Sequence, residues 1–171
     1  ITIFLISSFT FVYPQLQEYS IVNFKTVPGL PTKIAYSAFK DSKGFMWFGT
    51  EDGLNKYDGT HFSIYNNQPG ETNSLSHKWI EQIAEDRDGM IWLGSKNGLT
   101  RLDPKTDDMN QITTGSDDRI ALSNDTIITL LASGKYIWVG THNGINRVHS
   151  QSLMNTRYFP GGNNINCRIH A

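Results

Sequence analysis

A chain of 171 residues with 15 Lys and Arg against 16 Asp and Glu, and no run of either sign, argues against a nucleic-acid surface. A single cysteine, Cys167, excludes an internal disulfide, so cysteine says little about compartment. The first 13 residues are almost wholly apolar, broken only by Thr2, Ser7, Ser8 and Thr10. That stretch is too short to cross a bilayer. It fits the apolar core of a secretory signal peptide that lacks its initiator Met and basic leader, with an ordinary N-terminal strand as the alternative. Residues 19–27 then read as a lone outer strand.

From Leu30 onward the chain repeats itself. Trp47-Phe48-Gly49-Thr50-Glu51-Asp52-Gly53-Leu54-Asn55-Lys56-Tyr57 returns as Trp92-Leu93-Gly94-Ser95-Lys96-Asn97-Gly98-Leu99-Thr100-Arg101-Leu102. It returns again as Trp138-Val139-Gly140-Thr141-His142-Asn143-Gly144-Ile145-Asn146-Arg147-Val148. The Trp-to-Trp spacings are 45 and 46 residues, a period that marks a repeat architecture. Leu30, Leu75 and Leu122 open the three units. Each continues with an apolar inner strand, at 34–39, 79–84 and 127–131. An Asp-x-x-Gly turn follows at 41–44 and 86–89, where Asp accepts a backbone N–H and Gly tolerates positive φ. The third unit shortens this turn to Ser133-Gly134-Lys135.

Second strands are expected at 45–50, 90–95 and 136–141. They end at Asp52-Gly53, Asn97-Gly98 and Asn143-Gly144, a strong hairpin signal. Third strands follow at 54–57, 99–102 and 145–148, and weaker fourth strands at 62–65, 109–112 and 156–159. The unit is a four-stranded antiparallel meander. Its second strand is apolar on both faces, since Trp47 points one way and Phe48 the other. Stacking the sheets buries both faces, and a stacking unit of this length is a propeller blade. The fold class is therefore all-β: about three blades of an incomplete propeller, with partial flanking strands. The expected divisions are a truncated signal peptide and leader at 1–18, the outer strand of a closing blade at 19–29, blades at 30–74, 75–121 and 122–162, and the start of a fourth at 163–171. Propellers have at least four blades, so the chain reads as an N-terminal fragment.

The pattern Asp-x-x-Gly-[apolar]₂-Trp-[apolar]-Gly-Thr-x-[Asp/Asn]-Gly-Leu-Asn-[Lys/Arg] closely resembles the two-component regulator propeller repeat. It stands at 41–57 and 86–102, and the third copy departs in its turn and at Ile145. The resemblance implies an exported, periplasmic or extracellular sensor region. Downstream of it would follow more blades, a small β-sandwich, a membrane span and a histidine kinase in the same full-length chain. It also implies an oligosaccharide ligand and an output in transcription. A homodimer stands among the expectations for the full-length protein. No cofactor is implied, and this region is read as non-enzymatic.

Where the copies agree, the residues read as structure. Trp47, Trp92 and Trp138 read as the wedge between blades rather than as sugar platforms. Gly49, Gly94 and Gly140 read as points of close approach, and Gly53, Gly98 and Gly144 as turn residues. Where the copies differ, binding is expected. The differing turn positions hold Glu51, Lys96 and His142. The loops entering the inner strands hold Thr32-Lys33, then His77, Lys78 and Trp79, then Asn124, Asp125 and Thr126. Trp79 is the aromatic candidate, because Ile34 and Thr126 occupy the matching places. A sugar offers hydroxyls to the charged and amide groups and an apolar face to the ring. Catalytic signals are weak: His61, His77, His142, His149 and His170 lack metal-ligand spacing, and no nucleophile elbow or P-loop is present. Glu51 with Glu81, or Asp86 with Asp88, could be proposed as a catalytic acid pair for the alternative of a secreted propeller lyase, but Asp86 and Asp88 belong to a repeated turn. A protein-binding scaffold is the third reading.

Overall fold

The computed structural model describes residues 34–160. Twelve strands occupy them, with no helix among the described residues. The first sheet is β1 (Ala35–Lys40), β2 (Met46–Thr50), β3 (Gly53–Tyr57) and β4 (Phe62–Tyr65). The second is β5 (Ile80–Glu85), β6 (Ile91–Ser95), β7 (Gly98–Leu102) and β8 (Met109–Ile112). The third is β9 (Ile127–Ser133), β10 (Tyr136–Thr141), β11 (Gly144–His149) and β12 (Asn155–Tyr158). Each is an antiparallel meander in chain order, and the first strands pack against one another, β1 on β5 and β5 on β9. These are three consecutive propeller blades. The flanking readings, the leader and lone strand before residue 34 and the next strand at 163–171, lie outside the described residues.

The sheets stack through two apolar layers. One holds Trp47 and Leu54 of the first sheet with Ile80, Ile91, Leu93 and Leu102 of the second. The other holds Trp92, Leu99 and Ile112 of the second with Ile127, Ile137, Val139 and Val148 of the third. Trp47 and Trp92 each face the sheet that follows. Trp47 and Trp92 are wholly buried. Trp138 differs: it is half-buried, stacked on Tyr158 of its own sheet at 6.0 Å between ring centroids, with the Arg147 guanidinium 5.9 Å from its ring centroid.

The Asp-x-x-Gly turn also holds the Trp. Asp41 Oδ1 accepts the amides of Lys43 and Phe45, while Oδ2 accepts the Trp47 indole N–H at 2.8 Å. Asp86 repeats all three bonds with Asp88, Met90 and Trp92. In the third copy the shortened turn offers no carboxylate to Trp138.

The second hairpin corrects the expectation by one residue. Thr50 pairs with Gly53, so Glu51 and Asp52 form the corner, rather than the Asp-Gly pair. Gly53 opens β3 at φ 128°, and neither corner residue has positive φ. The Thr50 hydroxyl explains this: it donates to Gly53 O at 2.9 Å and accepts the Asp52 amide at 3.2 Å. Ser95 and Thr141 make the same two bonds in their copies.

Candidate functional site

The inner strands carry a feature that alternation alone does not reveal. The register of β1 against β2 slips between Ala35 and Ser37, that of β5 against β6 between Ile80 and Gln82, and that of β9 against β10 past Ile127. The bulge falls on the same repeat position each time and singles out Tyr36, Glu81 and Ile128. A bulge re-aims a side chain. Tyr36 and Ile128 are exposed, and Glu81 is half-buried.

At the joint of the first two sheets, bulge residues and loop residues meet. The Tyr36 and Trp79 rings lie 5.7 Å apart. Lys96 Nζ sits 4.7 Å from the Trp79 ring centroid and 3.4 Å from Glu81 Oε1. Trp79 is therefore no bare platform. The surface is a ledge composed of the exposed Tyr36 ring, the half-buried Trp79 and the Lys96 ammonium. His77 Nδ1 accepts the Trp79 amide at 3.0 Å, which locks the loop just before β5.

The structure brings together Trp79, Lys96 and His77 from the expected set, and leaves the others apart. Lys78 is exposed, and Glu51 is half-buried at its hairpin corner. Asn124 Oδ1 accepts the Thr126 amide at 2.9 Å in the loop before β9. His142 lies farther on, where it lines an open cavity of about 460 Å³ with Ile128, Gly140 and Tyr158 on the third sheet. Tyr36 escaped sequence reasoning because it sits inside an apolar strand and only the bulge turns it outward. Glu81 drew notice as half of an acid pair, but it forms an ion pair with Lys96. Among the described residues no cluster of His, Cys, Asp and Glu could hold a metal ion.

The repeat positions lie where the sheets touch. A Cβ added to Gly94 would meet Ile127 Cγ2 of the next sheet at 2.7 Å, and one on Gly49 would run into Ile80. At Gly140 the nearest atom belongs to Thr129 of the same sheet.

The two-component regulator propeller model matches residues 29–52 and 74–97, the first two copies. The chain carries the two-component regulator propeller repeat. Its third sheet keeps the same pairing while lacking the Asp-x-x-Gly turn. Among solved structures it is similar to the extracellular domain of a B. thetaiotaomicron protein described as a hybrid two component system, BT3049. The TM-score is 0.70 at 26% identity, over 82% of this chain and 20% of that one. The extracellular domain of BT4673 from the same organism, also described as a hybrid two component system, gives a TM-score of 0.55 at 26% identity, over 70% of this chain and 17% of that one. A 62-residue stretch is 37% identical to Histidine kinase P4 of Formosa agariphila, covering 36% of this chain and 4% of that protein. The chain thus spans a fifth or less of each relative. Those solved relatives are extracellular domains of signalling systems, in accord with a non-enzymatic role for this region. No helix among the described residues is long and apolar enough to cross a membrane.

Proposed function

We propose that this propeller segment is the ligand-sensing part of an exported two-component sensor. It recognises an oligosaccharide on the periplasmic or extracellular side and biases a histidine kinase in the same full-length chain, which in turn regulates transcription. The observation that carries this reading is the ledge of Tyr36, Trp79 and Lys96. It stands where the repeats differ, beside loops fixed on rigid sheets. An exposed ring next to a charged group suits the apolar face and the hydroxyls of a sugar. Binding alters output only by the difference in affinity between the two signalling states.

The test is calorimetric titration of the full-length protein with oligosaccharides, beside its Tyr36→Ala and Trp79→Ala variants. Tyr36 is exposed and its removal leaves the fold standing. The expected result is a loss of affinity of at least tenfold in both variants, about 1.4 kcal/mol. Unchanged affinity in Tyr36→Ala would remove the ledge from the site, and failure of every glycan to bind the parent would remove the sugar reading.

A further inference from the structure

The connection between β4 and β5 lies beside the ledge and borders an open cavity of about 370 Å³. Its lining includes Asn67, Glu71, His77, Asn97 and Gln111. Small-molecule sites occupy about 300–1,000 Å³, so the size suits a ligand.

The arch is fixed before any ligand arrives. Leu75 is wholly buried beneath it. The Ser74 hydroxyl donates to Glu71 O at 2.9 Å and accepts the Gln68 amide at 3.3 Å. Three side-chain amides hold it from below, and all three do so with their NH₂ groups. Asn67 Nδ2 donates to Leu75 O at 2.5 Å, Asn97 Nδ2 to Ser76 O at 3.2 Å, and Gln111 Nε2 to Ser74 O at 2.9 Å. An amide whose nitrogen is committed has a carbonyl oxygen left over. No group among the described residues donates to Asn67 Oδ1, Asn97 Oδ1 or Gln111 Oε1, nor to the Glu71 carboxylate. His77 adds one donor: its Nδ1 accepts the Trp79 amide, so its Nε2 carries the hydrogen.

The equivalent joint is built differently. There Arg157 stands at the position of Gln111 and reaches Asp118 Oδ1 at 2.7 Å, while the Asp125 carboxylate takes the Thr114 amide and hydroxyl. There Asp118 is paired with an arginine of β12, and Asp125 is already satisfied by Thr114.

We infer that the bowl under the 66–79 arch, which has three unclaimed amide carbonyls and the Glu71 carboxylate among its lining residues beside the donors of Gln68, Thr72 and His77, is a sugar subsite that takes a neutral or amine-bearing residue and rejects uronates and sulfated sugars. The inference rests on the sugar reading of the neighbouring ledge and names its ligand class. Sugar hydroxyls or an ammonium supply the donors that the three carbonyls and Glu71 lack. A carboxylate or sulfate brings only acceptors and meets Glu71 with like charge.

The experiment displays neutral, amine-bearing, uronate and sulfated oligosaccharides on an array and probes them with the labelled full-length protein, its Glu71→Lys variant and its Tyr36→Ala variant. Glu71 is exposed and its carboxylate holds nothing in the fold, so the variant keeps its arch. The expected result is binding confined to neutral or amine-bearing sugars, weakened at least tenfold by Glu71→Lys for the amine-bearing ones. Preference for anionic sugars, or binding of amine-bearing sugars that Tyr36→Ala weakens and Glu71→Lys does not touch, overturns the subsite and leaves the ledge intact. Binding to no class overturns the sugar reading itself.

Discussion

Asp86 accepts three hydrogen bonds, two from the turn amides of Asp88 and Met90 and one from the Trp92 indole. The acid and the ring are both buried, so neither can turn to water. Asp86→Ala strands a buried donor and is expected to destabilise the full-length protein by about 2–3 kcal/mol, read as a shift of its urea unfolding midpoint. Asp86→Asn tests the geometry further. Its amide keeps one acceptor and turns a donor against another donor, so it is expected to recover less than half of the loss. The repeated Trp and the repeated Asp were both plain in the sequence, six residues apart, but their bond was not. Spacing shows that two residues recur, and only the path of the turn shows that they touch. A separate acid behaves differently. Asp58 is exposed and its Oδ1 accepts the amides of His61 and Thr60 and the Thr60 hydroxyl. These bonds, that from His61 foremost, lower its carboxyl pKa to about 2. A depressed folded value means that the turn at 58–61 gains stability above the ordinary carboxylate range, about 3.9, and loses it as pH falls through about 2. An NMR titration of the Asp58 side-chain carbonyl should find its midpoint near 2. A midpoint near 4 would show that the turn opens in solution.

At the scale of the strand, the decisive contacts run between sheets. Ile127 of β9 seats against Gly94 of β6, and Ile80 of β5 against Gly49 of β2. Gly94→Ala places a methyl 2.7 Å from Ile127 Cγ2 and 3.0 Å from Gln82 Cβ, too close for either neighbour. The sheets must part slightly, at a cost of about 1–3 kcal/mol in unfolding free energy. Adding Ile127→Ala removes the nearer clash, so the double variant should lose less than the two single losses combined. Strict additivity in the same denaturation series would place the strain elsewhere. Strand existence and order were legible here because apolar runs, Asx-Gly signals and a fixed period agreed. The hairpin corner and the bulges were not. The corner depends on the Thr50 hydroxyl taking the Asp52 amide, and the bulge at Tyr36 leaves no mark in an apolar run. The ledge was legible only in part for that reason: Trp79 and Lys96 stood out as departures from the repeat, while Tyr36 did not.

The described residues form a stack with direction, since the first and second sheets each offer their Trp face to the next. Leu54, Leu99 and Ile145 hold one repeat position on that face. Leu54 and Leu99 are 0% exposed, and Ile145 is 49% exposed. Leu131, on the same face of the third sheet, is 63% exposed. Nothing in the third sheet's own pairing sets it apart, for its strands keep the order and register of the other two. The difference lies in what covers the face: a following sheet for the first two, and none among the described residues for the third. A patch of this kind, with Trp138 and Tyr158 at its centre, is the chemistry of a blade joint rather than of a solvated surface. We therefore expect a further blade to close over it in the full-length protein. Ile145→Lys would then bury a charge where Leu54 and Leu99 bury a side chain, and should lower the unfolding free energy by at least about 2–3 kcal/mol. An Ile145→Lys variant as stable as its parent in thermal unfolding would mean that the Trp138 face stays in water, and the stack would end at the third sheet.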